Sequence, residues 1–191
     1  NRQQLDLPTR CEGWSVGDVT AHVVGTLADV TGGRIEGQGT DEVTARQVEE
    51  RRGRTAAELA DELALAVKSA SDLLPAFDDV AWLGAAPGGY DLTLGDAIEA
   101  LWYDAYLHAD DIGVALGRPT RRGDGLVASV SHISAILDAR GAPRCTVALD
   151  GMPRFEVSGG GAEITGDALT FVLEATGRAT TTTTGVGNIY G

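Results

Sequence analysis

His22, Asp104 and His108 are the residues of this chain whose types and spacing could most readily do chemistry together. Asp104 and His108 stand four apart in Trp102-Tyr103-Asp104-Ala105-Tyr106-Leu107-His108. On a helix that spacing puts both side chains on one face, where they can grip a single ion. His22 closes the run Ser15-Val16-Gly17-Asp18-Val19-Thr20-Ala21-His22, at the margin of an apolar line through Val19 and Val23. If the two helices pack antiparallel with these faces together, His22 meets Asp104 and His108. Two imidazoles and a carboxylate leave one position of a tetrahedral ion open, the ligand count of a catalytic metal site. This donor set suits zinc, and also nickel or ferrous iron. Asp111, one turn beyond His108, is placed to hold the free ring N–H of a ligand histidine.

Plainer readings stand beside this one. Asp104 and His108 can form an ordinary i,i+4 ion pair on a wet surface, contributing about 0.3–0.5 kcal/mol. A histidine beside a helix core is commonly a hydrogen-bonded structural residue, and His132 reads that way. Asp-x-x-x-His is a far less specific motif than His-Glu-x-x-His. Asp110 and Glu99 read as solvated helix-surface charges. Cys11 lies four residues before Ser15, the cap of the helix that carries His22. A helix N-terminus can lower a thiol pKa, but a packed structural cysteine is the simpler reading. Gly159-Gly160-Gly161 is not a phosphate loop, because no Lys follows and the next helix comes too late.

The elements that must position these residues are legible in the caps and apolar periodicity. Ser15 with Asp18 is a variant capping box, and Val16, Val19, Val23, Leu27 and Val30 then recur at helical spacing to Gly32-Gly33. A second, mostly charged helix is expected from about Asp41 to Arg52, anchored by Val43 and Val48. Thr55 with Glu58 opens a third, with Leu59, Leu63, Ala66, Val67, Ala70 and Leu74 as its stripe and Pro75 as its stop. After a Gly/Pro-rich loop, Thr93 and Asp96 cap a fourth helix. Its expected buried line is Leu94, Ile98, Leu101, Ala105, Ile112 and Leu116, ending at Gly117-Arg118-Pro119. A fifth spans about Leu126 to Ala139. Beyond Gly141 the texture turns to short β-rich runs, Cys145 to Leu149, Phe155 to Val157 and Glu163 to Thr165. A helix from Asp167 to Ala175 follows, and the tail with its threonine run Thr180 to Thr184 reads as irregular. The expected fold is therefore mainly α. A helical bundle over 1–140 carries the metal site, and a small α+β C-terminal domain over 141–191 packs on it.

Composition bounds the partners. The 191 residues carry a net charge of −13, and an acidic surface repels phosphate backbones and anionic membranes. No apolar run approaches the roughly 18–20 residues that span a bilayer, and no charged-then-apolar leader opens the chain. The two cysteines, Cys11 and Cys145, share no metal or redox spacing. A reducing cytoplasm is the expected compartment.

The segment Leu7-Pro8-Thr9-Arg10-Cys11-Glu12-Gly13-Trp14-Ser15-Val16-Gly17-Asp18-Val19-Thr20-Ala21-His22 resembles the opening signature of the mycothiol-dependent maleylpyruvate isomerase family, a DinB-like bundle. Residues 104–117, Asp-x-x-x-His-x-x-Asp-Ile-Gly-Val-Ala-Leu-Gly, resemble its second signature, and Ile164 to Arg178 with Asn188-Ile189-Tyr190 its C-terminal domain. The resemblance implies a divalent metal, typically zinc, held through positions that fall on His22, Asp104 and His108. It also implies mycothiol or another low-molecular-weight thiol as cosubstrate, and a small-molecule substrate. A metal-bound thiol is held as thiolate, and the thiolate is the nucleophile.

Three departures stand out. Asp104 replaces the usual Glu and is one methylene shorter. Tyr103 replaces the usual Arg, removing a positive group for an acidic substrate. Of the family's helix before Cys11-Glu12-Gly13-Trp14, this chain carries only Asn1 to Asp6. The expected function is a metal-dependent, thiol-using transferase or isomerase. The alternative is a non-catalytic module that binds a small ligand or a protein on a vestigial site.

Overall fold

Three capping boxes start three of the long helices in the computed structural model, which describes residues 2–179 and 182–190. Ser15 and Asp18 open α2 (Val16–Thr31), Thr55 and Glu58 open α4 (Ala56–Leu73), and Thr93 and Asp96 open α6 (Leu94–Ala115). In each, the hydroxyl accepts the N3 backbone N–H and the N3 carboxylate accepts the cap's own N–H, so two orphan donors are satisfied at once. Around them stand the short α1 (Arg2–Leu5), α3 (Asp41–Glu50) and α5 (Asp79–Leu83). The stop at Pro75 takes the form of a 3₁₀ turn over Leu74–Ala76, with the proline in its first positions.

The chain divides into two compact units, Asn1–Thr120 and Arg121–Gly191. In the first, α2 is the hub, packing on α1, α3, α4 and α6, while α5 packs on α6. Its apolar line explains that role: Val16, Val19, Ala21 and Val24 are all buried. The loop ahead of α2 is closed by a β-bridge between Pro8 and Ser15, with the Val16 N–H on the Leu7 carbonyl at 2.8 Å. A matching bridge, Ala85 to Thr93, closes the loop ahead of α6.

Two apolar stripes differ from expectation. On α6 the line Ile98, Leu101, Ala105 and Ile112 is only half-buried, and the fully buried positions are Tyr103, Leu107, Asp110 and Asp111. At about 100° per residue these lie on roughly opposite sides of the helix, with Asp104 and His108 between them. Of the stripe expected on α4, Leu59 and Ala66 are buried, but Val67 and Leu74, the latter in the 3₁₀ turn, are exposed.

The second unit holds α7 (Asp124–Ala139), three short strands and α8 (Ala168–Ala175). The strands β1 (Cys145–Val147), β2 (Phe155–Val157) and β3 (Ala162–Ile164) form a sheet ordered β2-β1-β3. β1 runs antiparallel to β2 and parallel to β3. The triple glycine makes this possible. Gly159 and Gly160 take left-handed backbone, and a Cβ on Gly161 would stand 2.4 Å from the Arg144 carbonyl oxygen. The sheet and α8 bury Val147, Val157, Phe171 and Val172 completely. The helix α7, grouped with the bundle in the sequence-based division at 140, packs on β2 and α8 in this second unit.

Two threonines of the run, Thr180 and Thr181, lie outside the described residues. Thr183 and Thr184 are ordered by the buried Glu174, whose carboxylate accepts both their backbone N–H groups and both their hydroxyls. Among the described residues no helix is long and apolar enough to cross a membrane.

Candidate metal centre

His22 stands on the hub helix, and α6 packs against that helix, so the three donors meet although 82 residues separate His22 from Asp104. His22 Nε2 lies 3.6 Å from one Asp104 carboxylate oxygen, and His108 Nε2 lies 3.4 Å from the other. The two rings stand edge to face, with centroids 5.2 Å apart. One ligand atom from each of His22, Asp104 and His108 can be chosen so that all lie within 4.8 Å of one another. A tetrahedral ion with nitrogen and oxygen ligands sets its donors about 3.3–3.5 Å apart. These three residues could therefore hold a divalent ion.

The far nitrogen of each ring is tied elsewhere. His108 Nδ1 lies 3.1 Å from Asp111 Oδ2, and His22 Nδ1 lies 2.9 Å from Gln47 Oε1. Such partners orient an imidazole, and here they leave both Nε2 atoms beside Asp104.

The loop before α2 supplies the rest of the wall. Its β-bridge holds Arg10 against the end of α6, where Arg10 donates to Asp111 Oδ1 from Nε at 3.1 Å and from Nη2 at 2.8 Å. The same Nη2 lies 2.5 Å from Asp110 Oδ2. Asp110 is therefore not the solvated surface charge that its sequence context implies; it is buried, and Arg10 compensates it. Cys11 points its thiol at Asp111 Oδ2, at 3.2 Å, with His108 Nδ1 3.8 Å away. Trp14 sets its indole edge to face on His22 at 5.5 Å. A second group, Cys11, His108 and Asp111, also brings three possible ligand atoms within 4.8 Å.

Electrostatics couple the three donors. Burial pushes the Asp104 carboxyl up, but hydrogen bonds and charge from His108 and His22 outweigh it and hold the pKa well below the usual carboxylate range. Burial pushes the His108 imidazole down, yet hydrogen bonds to Asp104, Asp111 and Cys11 outweigh that, and its pKa is pushed up to about 11. In the absence of an ion His108 holds a proton against Asp104.

Sequence reasoning missed Gln47. It is fully buried on α3, one turn after Val43 and beside Val48, so it interrupts the apolar line of a mostly charged helix. A polar residue on that line was the available signal. Its approach to α2 depends on Gly25, where an added Cβ would meet Gln47 Cβ at 2.6 Å. A cleft of about 730 Å³ lies along α3, lined among others by Trp14, Asp18, Arg46, Glu49 and Arg52. It reaches none of the three donors and shares only Trp14 with the site.

The family described as mycothiol maleylpyruvate isomerase N-terminal domain matches residues 1–113. The fold is similar to the crystal structures of mycothiol-dependent maleylpyruvate isomerase and of one of its histidine-to-alanine mutants. The TM-scores are 0.59 and 0.60, at 15% identity, over 94% of this chain and 80% of theirs. No curated protein matches the chain.

Proposed function

From its membership of the mycothiol maleylpyruvate isomerase family, to which this chain belongs, we propose that the protein is a metal-dependent, thiol-using transferase or isomerase. The observation that carries this reading is that His22, Asp104 and His108 each bring one possible ligand atom within 4.8 Å of the others, with both Nε2 atoms beside the Asp104 carboxylate. His22, Asp104 and His108 would hold the ion. A divalent metal there, zinc by donor type or else nickel or ferrous iron, supplies a site that keeps a low-molecular-weight thiol such as mycothiol as thiolate.

The chain's own residues do the rest. Asp111 keeps the His108 proton on Nδ1, and Gln47 meets His22 on its Nδ1 side. Trp14 covers the face of the site beside His22. The other grouping, Cys11 with His108 and Asp111, is the weaker ligand set. Asp111 already neutralises the Arg10 guanidinium, and a cation beside that arginine would be repelled. The substrate class is a small electrophile that accepts a thiol, and the cytoplasm is the compartment that keeps such a thiol reduced.

The test is elemental analysis of untagged protein beside its His22→Ala variant. About one metal ion per chain, lost in the variant, supports the reading. Metal-free protein that also refuses added zinc overturns it.

One observation favours the non-catalytic alternative: Tyr103, standing where the family resemblance places Arg, is buried and offers no cation to a substrate. Asp104→Glu combined with Tyr103→Arg separates the two readings. A gain in thiol reactivity supports a decayed enzyme, and no gain beside measurable wild-type turnover supports the enzyme as it stands.

A further inference from the structure

We infer that Gln47 is a positioning residue that fixes the tautomer of His22, holding the ring proton on Nδ1 so that the Nε2 lone pair faces Asp104 and His108. This rests on the metal-site reading above. The argument begins at Asp29, a fully buried carboxylate on α2. Asp29 forms ion pairs with Arg34 and with Arg46. Hydrogen bonds from Arg46, Gln47 and Gln38, with the charge of Arg34, outweigh its burial and keep it ionised.

An ionised carboxylate only accepts. The Gln47 side chain lies 3.0 Å from Asp29 Oδ2, so the atom that faces Asp29 has to be the amide nitrogen. Gln38 agrees, since its own amide nitrogen donates to Asp29 and to the Arg34 carbonyl. Gln38 Oε1 is thereby left to accept from Gln47 Nε2 at 3.0 Å. With its nitrogen committed twice, Gln47 presents Oε1 to His22 and also to the Thr26 hydroxyl, 3.2 Å away. A carbonyl oxygen cannot donate. The 2.9 Å contact is therefore a hydrogen bond from His22 Nδ1–H. The ionised Asp104 oxygen on the other side stands 3.6 Å from Nε2, too far for a hydrogen bond to hold the proton there. The neutral ring thus carries its lone pair on Nε2. Two helices take part, because α3 carries Gln47 and Gly25 on α2 leaves room for it.

The experiment records two-bond ¹H–¹⁵N correlations of histidine-labelled protein at alkaline pH, with zinc affinity measured on the same samples. Wild type is expected to show His22 protonated at Nδ1 and bare at Nε2. Gln47→Met keeps the side-chain length but offers no amide. It should let the proton distribute over both nitrogens and weaken zinc binding roughly 10- to 100-fold. Gln47→Glu keeps an acceptor for Nδ1 while placing a second carboxylate beside Asp29. It should keep the tautomer even where it lowers stability, which a merely structural role would not do.

A wild-type spectrum with the His22 proton on Nε2 overturns the inference and needs no variant to fold. So does a Gln47→Met protein whose tautomer and zinc affinity match wild type. If wild type refuses zinc while its tautomer and the Gln47 dependence are as stated, the metal reading falls and the assignment of Gln47 stands.

Discussion

Asp111 Oδ2 accepts from His108 Nδ1 at 3.1 Å while Asp111 Oδ1 takes two N–H groups of Arg10, so one buried carboxylate ties the loop before α2 to the turn of α6 that carries His108. Removing it takes away two hydrogen bonds of Arg10, which keeps its pair with Asp110, and frees the Nδ1 side of the His108 ring. Asp111→Ala should cost about 1.5–3 kcal/mol of stability, the scale of hydrogen bonds to a charged group. Its zinc affinity should fall about 10- to 100-fold. Urea unfolding and a chelator competition titration read the two effects. Asp111→Asn keeps an acceptor oxygen and should lose less of each. Unchanged zinc affinity in both variants would show that Asp111 does not orient His108.

Asp104 bridges the two imidazoles, and its charge is the part of the donor set that a neutral isostere removes. Asp104→Asn should lower zinc affinity at least about tenfold, as loss of a charged ligand oxygen from a three-ligand site requires. The His108 pKa should also drop from about 11, because the Asp104 side chain no longer carries charge. An NMR titration of the metal-free protein measures that drop. A His108 pKa that stays put would mean that Asp111 and Cys11 hold the proton alone.

Gly25 sits three residues after His22, where α2 and α3 approach closely. A Cβ there would stand 2.6 Å and 2.8 Å from Gln47 Cβ and Cγ. Gly25→Ala is expected to destabilise by about 1–3 kcal/mol through overpacking, against the small gain Ala brings to a helix interior. The urea midpoint gives the sign. A stabilised variant would show that α3 can shift freely.

Glu174 carries the clearest dependence of stability on pH. Hydrogen bonds from Thr183 and Thr184 outweigh its burial and lower its pKa from 4.5 to about 2. A depressed folded pKa contributes stability above the unfolded value that is lost as pH falls through the folded one. Glu174→Gln should therefore be less stable than wild type at pH 7 by about 1.5–3 kcal/mol, the scale of a hydrogen bond to a charged group. The gap should close between about pH 5 and 2. Urea unfolding over that range checks it, and a gap that widens toward acid would refute the assignment.

The local chemistry of this chain is written in its sequence. Ser15-Asp18, Thr55-Glu58 and Thr93-Asp96 announce their helices because a capping box is a contact within four residues and needs nothing from the rest of the chain. The i,i+4 relation of Asp104 and His108, and the i+3 relation of Asp111, follow from helix geometry alone. The three strands lie within about two residues of their expected bounds, whereas the short helices α1 and α5 are not expected from the sequence.

What tertiary structure decided was everything that depends on which faces meet. The wheel of α6 offered one apolar line, but burial is greatest along Tyr103, Leu107, Asp110 and Asp111, because Arg10 arrives from a loop about 100 residues away to compensate two carboxylates. A sequence pattern counts apolar residues and cannot see that a charge has found its partner. The convergence of His22 on Asp104 likewise depends on α2 packing against α6. The role of Gln47 depends on a glycine that lets a third helix approach. Its amide points as it does only because Asp29, brought alongside by folding, can accept a proton and cannot give one.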